Sequence, residues 1–194
     1  MIVLITGASH TGKTLLAQRM LEVFGYPYLS IDHLKMGLIR SGNTALTPED
    51  DEELTEYLWP IVREMVETAI ENRQNLIVEG CYVPPNWRKD FGEEYLRFIV
   101  FVCLAMSDAY IDANVNEVRR NANAIEARLN DTECSPDEIK NDNRRYIDAF
   151  KESGEKVTLI ESDYEVTIEA LLDSLSLQVC KWRGVSRQGR ESRV

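Results

Sequence analysis

The sequence is poor in the residues that build metal and redox centres. It has two histidines, and its four cysteines, Cys81, Cys103, Cys134 and Cys180, nowhere form a CxxC pair. That scatter points away from a zinc site and from a disulfide framework, and Cys103, inside an apolar run, reads as a buried thiol. Long apolar runs are missing as well. The longest is FIVFVCLAM, Phe98 to Met106, too short to cross a bilayer, and no charged leader precedes a cleavable apolar stretch. A soluble, cytoplasmic protein is expected, with no membrane partner. Positive charge is in deficit: 22 Lys and Arg against 33 Asp and Glu leave a formal charge of −11. Such a surface repels nucleic-acid backbones, so no nucleic-acid partner is favoured, and a small anionic molecule gathered by a few arginines fits better.

What is present suffices for one core: 194 residues, 44% of them hydrophobic, with no linker and no internal repeat. Short β-rich runs, IVLI (2–5), YLSI (28–31), LIVE (76–79), RFIVFVCL (97–104) and KVTLI (156–160), alternate with helix-like stretches. The alternation predicts an α/β fold, a parallel sheet with helices on both faces. Thr47-Pro48-Glu49-Asp50 and Ser135-Pro136-Asp137-Glu138 each offer an N-cap hydroxyl, a proline at the first helical position and a carboxylate at the third, so helices are expected to begin there. Leu54, Leu58, Ile61, Met65 and Ala69 predict the buried face of the first of these, a helix of about six turns that Pro60 should bend or split. A closing helix is expected from about Glu165 to Trp182, giving a single domain over 1–183. Residues 184–194 are polar and arginine-rich, and a disordered tail is expected there.

The stretch GASHTGKT, made of Gly7, Ala8, Ser9, His10, Thr11, Gly12, Lys13 and Thr14, fits G-x-x-x-x-G-K-[ST]. Each fixed position has a reason. Glycines let the backbone turn its N–H groups inward, the helix that follows points its positive end at an anion, Lys13 reaches the outer phosphates, and Thr14 offers a hydroxyl to Mg²⁺. The setting is the one this pattern requires: a strand, MIVLI, before it and an amphipathic helix with Leu16, Met20, Val23 and Phe24 after it.

From Met1 to about residue 170 the order of motifs resembles the P-loop kinases of the adenylate kinase-like group. That group includes shikimate- and gluconate-kinase-type enzymes, the chloramphenicol phosphotransferase and zeta-toxin group, and 2-phosphoglycerate kinase-like proteins. The resemblance implies a three-layer P-loop fold with five parallel strands in the order 2-3-1-4-5 and a helical lid near 119–145. It also implies ATP and Mg²⁺ as cofactors and a small-molecule phosphoryl acceptor. Translational GTPases share the loop, but their [NT]KxD and DxxG motifs are absent, which favours ATP over GTP and transfer over switching.

Asp32, in SIDHLKMGLIR, falls just past the carboxyl edge of the second strand, where ligands bind in open parallel sheets. The resemblance implies that it contacts the acceptor hydroxyl; as a bare residue it could equally cap the helix after it. Lys35 and Arg40 follow as cations for an acidic substrate or as surface charges. The third strand ends LIVEGCYVPPNWRKD: Glu79 is placed near the metal, and Gly80 allows close approach of substrate or backbone. Adenylate kinase carries DGFPR in this place. The departure lowers the odds of a mononucleotide acceptor and leaves Tyr82, Trp87 and Arg88 to shape another pocket, Trp87 standing equally well for a core-edge anchor.

After the fourth strand a helix begun by Ser107 carries Arg119 and Arg120, with Arg128 beyond it and Arg144 and Arg145 on the next helix. The resemblance implies a lid whose arginines flank nucleotide and transferring group. The plainer alternative is a solvated helix with basic residues near its carboxyl end. The reading as a whole is an ATP-dependent kinase in which Lys13, Asp32, Arg119 and Arg120 serve the reaction, the loop and Arg119 hold nucleotide, Thr14 and Glu79 hold metal, and Asp32, Lys35, Arg40, Gly80, Arg88 and Arg128 serve the acceptor. A polynucleotide or RNA-end kinase and a non-catalytic ATP-binding regulator are the alternatives.

Overall fold

A computed structural model describes residues 1–121 and 135–191, with side chains over 1–119 and 135–179. Five strands, β1 (Ile2–Gly7), β2 (Tyr28–Ser30), β3 (Leu76–Glu79), β4 (Ile99–Met106) and β5 (Val157–Ile160), pair in parallel in the order β2-β3-β1-β4-β5. This is the order that the resemblance implied. β1 is central and buried along its whole length, so it reads as an apolar run rather than an alternating one.

Both faces of the sheet are covered. Alternate β1 residues divide between two cores, because successive side chains of a strand point to opposite faces. Val3 and Ile5 pack with Leu16, Ala17 and Met20 of α1 (Lys13–Phe24) and with Ile168, Leu175 and Val179 of α7 (Tyr164–Glu191). Ile2 and Leu4 pack with Leu54, Leu58, Val62 and Val66 of α3 (Asp51–Glu71) and with Phe150 of α6 (Pro136–Glu152). Helices α2 (Ile31–Arg40), α4 (Glu93–Leu96) and α5 (Asp108–Asn121) complete the described α-helices, and a 3-10 turn spans Trp87–Asp90.

Five expectations need correction. α3 begins at Asp51 and not after Thr47, because Asp50 Oδ2 accepts from the Thr47 backbone N–H at 2.7 Å and from its hydroxyl at 3.0 Å, closing a turn before the helix starts. Its buried face runs through Leu54, Leu58, Val62, Val66 and Ala69 with Trp59, while Met65 is exposed and Ile61 only half-buried. Of the two outcomes expected of Pro60, splitting does not occur: the residue is exposed within a continuous stretch from Asp51 to Glu71. Trp87 is fully buried, stacked on Phe101 and edge-on to Phe91, so it is a core anchor and does not line a pocket. The last helix continues to Glu191, past its expected end near Trp182.

Other expectations hold. Ser135 caps α6 with a complete capping box, its hydroxyl accepting from the Glu138 N–H while the Glu138 carboxylate accepts from the Ser135 N–H. Ser107 starts α5 by accepting from the Tyr110 N–H at 3.1 Å, and the helix then kinks at Asn114, whose φ is −126°. No described helix is long and apolar enough to cross a membrane.

Candidate active site

The carboxyl ends of β1, β2 and β3 lie side by side, since Ile5 pairs with Glu79 and Ser30 also pairs with Glu79. The segment after β1 turns through His10 and Gly12, both at positive φ (67° and 77°), and enters α1 at Lys13. A side chain is disfavoured at Gly12 twice over: the backbone is left-handed, and a Cβ would stand 2.0 Å from the Tyr164 hydroxyl oxygen. Tyr164, at the start of α7, donates that hydroxyl to the Gly12 carbonyl at 3.3 Å. Burial pushes its phenol up to about 12, so it stays a donor at neutral pH.

Lys13 is 4% exposed, and its ammonium donates to the Ala8 carbonyl at 2.7 Å, across the mouth of the loop. The Thr11 hydroxyl donates to the same carbonyl at 2.8 Å. Thr14, one turn into the site, donates to Glu79 Oε2 at 3.2 Å. Glu79 is 1% exposed, a carboxylate kept out of bulk water directly beside the loop. A hydroxyl and a buried carboxylate this close are hard oxygen donors suited to Mg²⁺, which takes one or two protein ligands and completes its shell with water and phosphate oxygens.

Asp32 enters on the first turn of α2. The helix starts at Ile31 with Ser30 as N-cap residue, so Asp32 is inside the helix and not its cap. Its Oδ1 lies 3.0 Å from Lys35 Nζ, one helical turn on. Lys35 also donates to the Tyr82 hydroxyl at 2.7 Å and lies over the ring, 5.0 Å from its centroid, and Tyr82 in turn donates to Asp51 Oδ1 at 3.2 Å. Burial, with the carboxylates of Asp32 and Asp51 adding to it, pushes the Tyr82 phenol far up, and the hydroxyl remains protonated. A chain from the start of α3 through the segment after β3 to the start of α2 thus fixes Asp32.

Gly80 fits the same purpose. A Cβ there would stand 2.8 Å from the Cβ of Ile31, so the missing side chain lets α2 begin hard against the end of β3. The close neighbour of Gly80 is the Ile31 side chain at the start of α2. Two expected acceptor cations lie elsewhere. Arg40 is exposed at the far end of α2, eight residues and so about 12 Å along the axis from Asp32. Arg88 lies over Trp87 and pairs with Glu155 at the amino end of β5, not at the carboxyl ends of the strands.

Arg119 is half-buried near the end of α5. The Arg120 side chain and Arg128 lie outside the described residues. Arg144 pairs with Asp108 and Lys140 with Asp112, tying α6 to α5. Arg145 reaches Asp142 Oδ1 at 3.0 Å, and Asp142 Oδ2 accepts from the Ser9 backbone N–H at 2.8 Å. Asp51, Asp142 and Tyr164 were therefore not singled out by the motifs. Asp51 and Tyr164 open α3 and α7, whereas Asp142 lies midway along α6 with no local pattern to mark it.

No protein-family model matches the chain, and no curated protein matches it in sequence. Solved structures do match. Shikimate kinase from Bacteroides thetaiotaomicron aligns over 91% of this chain and 98% of its own, with a TM-score of 0.55 at 16% identity. Shikimate kinase from Aquifex aeolicus aligns over 93% and 99%, with a TM-score of 0.53 at 14% identity. The chain has the P-loop small-molecule kinase fold. Deoxyadenosine kinase from M. mycoides, which covers 91% of this chain with 99% of its own at a TM-score of 0.52 and 13% identity, extends the same kinase fold to a different named substrate. Fold is what these likenesses share, and the acceptor differs among them.

Proposed function

We propose that the protein is an ATP- and Mg²⁺-dependent kinase that transfers the γ-phosphoryl group to a hydroxyl, or alternatively a phosphate, of a small metabolite. The observation that carries this reading is the meeting of the Gly7–Thr14 loop, the Thr14–Glu79 pair and Asp32 at one sheet edge within a kinase fold. Gly7 to Thr14 would cradle the nucleotide phosphates, with Lys13 leaving the Ala8 carbonyl to neutralise the outer ones. Thr14 and Glu79 would hold Mg²⁺, which supplies charge neutralisation on the transferring phosphates.

Asp32 orients the acceptor hydroxyl and accepts its proton as the new O–P bond forms and the bond from the γ-phosphorus to the bridging oxygen of ADP breaks. Lys35 and Tyr82 fix that carboxylate and so act as positioning residues. Arg119 and Arg120 take the nucleotide-facing role that the kinase resemblance implies, and Arg128 the acceptor-facing one. Phosphoryl transfer asks little covalent chemistry of a protein, so positioning and charge supply most of the rate.

The test is an ATP-consumption screen over hydroxylated metabolites and nucleotides, read by product mass, with Lys13→Ala alongside. Turnover with an identified acceptor that falls by at least about 10²-fold in Lys13→Ala supports the reading. Turnover near wild type in that variant overturns it. ATP binding with no turnover against any acceptor favours a non-catalytic regulator.

A further inference from the structure

One contact at the loop is not accounted for by holding a nucleotide. The Ser9 N–H, a backbone donor of the phosphate loop, donates to the Asp142 carboxylate of α6 at 2.8 Å. An anion already stands against a loop whose inward N–H groups are there to receive one.

The rest of α6 shows that this contact is not needed to hold the helix in place. The next residue, Asn143, is buried, accepts from the Met106 N–H at 2.6 Å and donates to the Ile139 carbonyl, while Tyr146 donates to the Cys81 carbonyl at 2.8 Å and Phe150 lies in the core. Asp142 itself retains 23% side-chain exposure. It can therefore rotate out of the loop while α6 stays docked, and its other oxygen is already held by Arg145, which is 66% exposed.

We infer that Asp142 is a built-in competitor for the phosphate loop: its carboxylate takes the Ser9 N–H, and an incoming polyphosphate displaces it. The inference rests on the reading of Gly7–Thr14 as a phosphate cradle and adds a residue that sets its affinity. A ligand that binds only the vacated loop has its apparent affinity reduced by the fraction of molecules in which the loop is vacated. Like-charge repulsion between Asp142 and a bound polyphosphate acts in the same direction, and both effects weaken with salt.

The experiment is calorimetric titration of the full chain, wild type and Asp142→Asn, with Mg-ATP and separately with inorganic tripolyphosphate, at low and high NaCl, together with the KM for ATP where an acceptor is in hand. Asparagine keeps an oxygen for the Ser9 N–H but loses the charge. Expected is binding of both probes roughly tenfold tighter in Asp142→Asn at low salt, a gap that narrows at high salt, and a KM for ATP that falls while kcat does not rise in parallel. Should Asp142→Asn fail to fold, Asp142→Ser carries the same titration. Equal or weaker binding in the folded variant overturns the inference and makes Asp142 a brace for the loop. If wild type binds neither probe, the phosphate-cradle reading falls and the inference with it; if wild type binds and the variant gains nothing, only the inference falls.

Discussion

Tyr164 stands where a side chain at Gly12 would have to be. Its hydroxyl oxygen lies 2.0 Å from the position of a Cβ at Gly12, and it donates to the Gly12 carbonyl from α7, 152 residues later in the chain. The start of the closing helix thereby forms one wall of the phosphate loop.

Gly12→Ala should consequently lose nucleotide binding and lower the melting temperature, because the new methyl group meets both a left-handed backbone and the Tyr164 hydroxyl. Tyr164→Phe removes only the hydrogen bond, worth about 0.5–1.5 kcal/mol, and should keep binding. Calorimetry with Mg-ATP and thermal melts check both. Gly12→Ala binding Mg-ATP like wild type would mean that the loop does not use this geometry.

Asp32→Asn separates binding from chemistry. The side chain keeps its size but loses its basicity, so ATP affinity should hold while transfer drops by roughly 10²- to 10⁴-fold, the usual cost of a lost general base. Unchanged transfer would exclude the proton-accepting role. A loss of Mg²⁺-dependent ATP binding would instead place Asp32 in the metal shell.

Gly80→Ala tests how tightly α2 must approach β3. Its Cβ at 2.8 Å from that of Ile31 forces the start of α2 outward and Asp32 with it. Acceptor KM or kcat should worsen far more than the Kd for Mg-ATP, and steady-state kinetics beside calorimetry read the difference. Equal damage to both would mean that the two halves of the site move together.

The capping box of α6 gives a pH signature. The Ser135 backbone N–H, and then its hydroxyl, hold the Glu138 carboxyl below its usual range. A depressed carboxyl stabilises the fold above its unfolded-state value, near 4.3, and that stabilisation is lost as pH falls through the folded-state value. Glu138→Gln should therefore be less stable than wild type at neutral pH, and the two should converge in acid. Ser135→Ala should cost about 1 kcal/mol at pH 7. Denaturant melts at several pH values check the trend, and a gap that widens in acid would contradict it.

Much of this was legible in the sequence because local chemistry dictates it. The loop from Gly7 to Thr14 is specified by contiguous residues, and Ser135 with Glu138 specifies its own helix start. The strand order was legible only through resemblance, since which strand lies beside β1 is not written in any short stretch. Thr47 misled because hydroxyl and carboxylate three residues apart satisfy a turn as well as a capping box, and here Asp50 takes both Thr47 donors before the helix begins. Met65 misled because a spacing of four and three allows neighbouring stripes on one helix, and the sheet selected the one through Val62 and Val66. Asp142 and Tyr164 were hidden for a different reason: their meaning depends on long-range return of α6 and α7 to a loop far earlier in the chain.

The central place of β1 has a consequence for amide exchange with solvent deuterium. Its N–H and carbonyl groups are shared between β3 on one side and β4 on the other, under two layers of core. Exchange there requires opening of the largest cooperative unit in the molecule, whereas β2, three residues long at the sheet edge, can open by itself. The loop after β1 thus hangs from the strand expected to exchange last and Asp32 follows an edge strand expected to exchange sooner, so under the proposed function the nucleotide side would stay assembled through local fluctuations that transiently release the acceptor side.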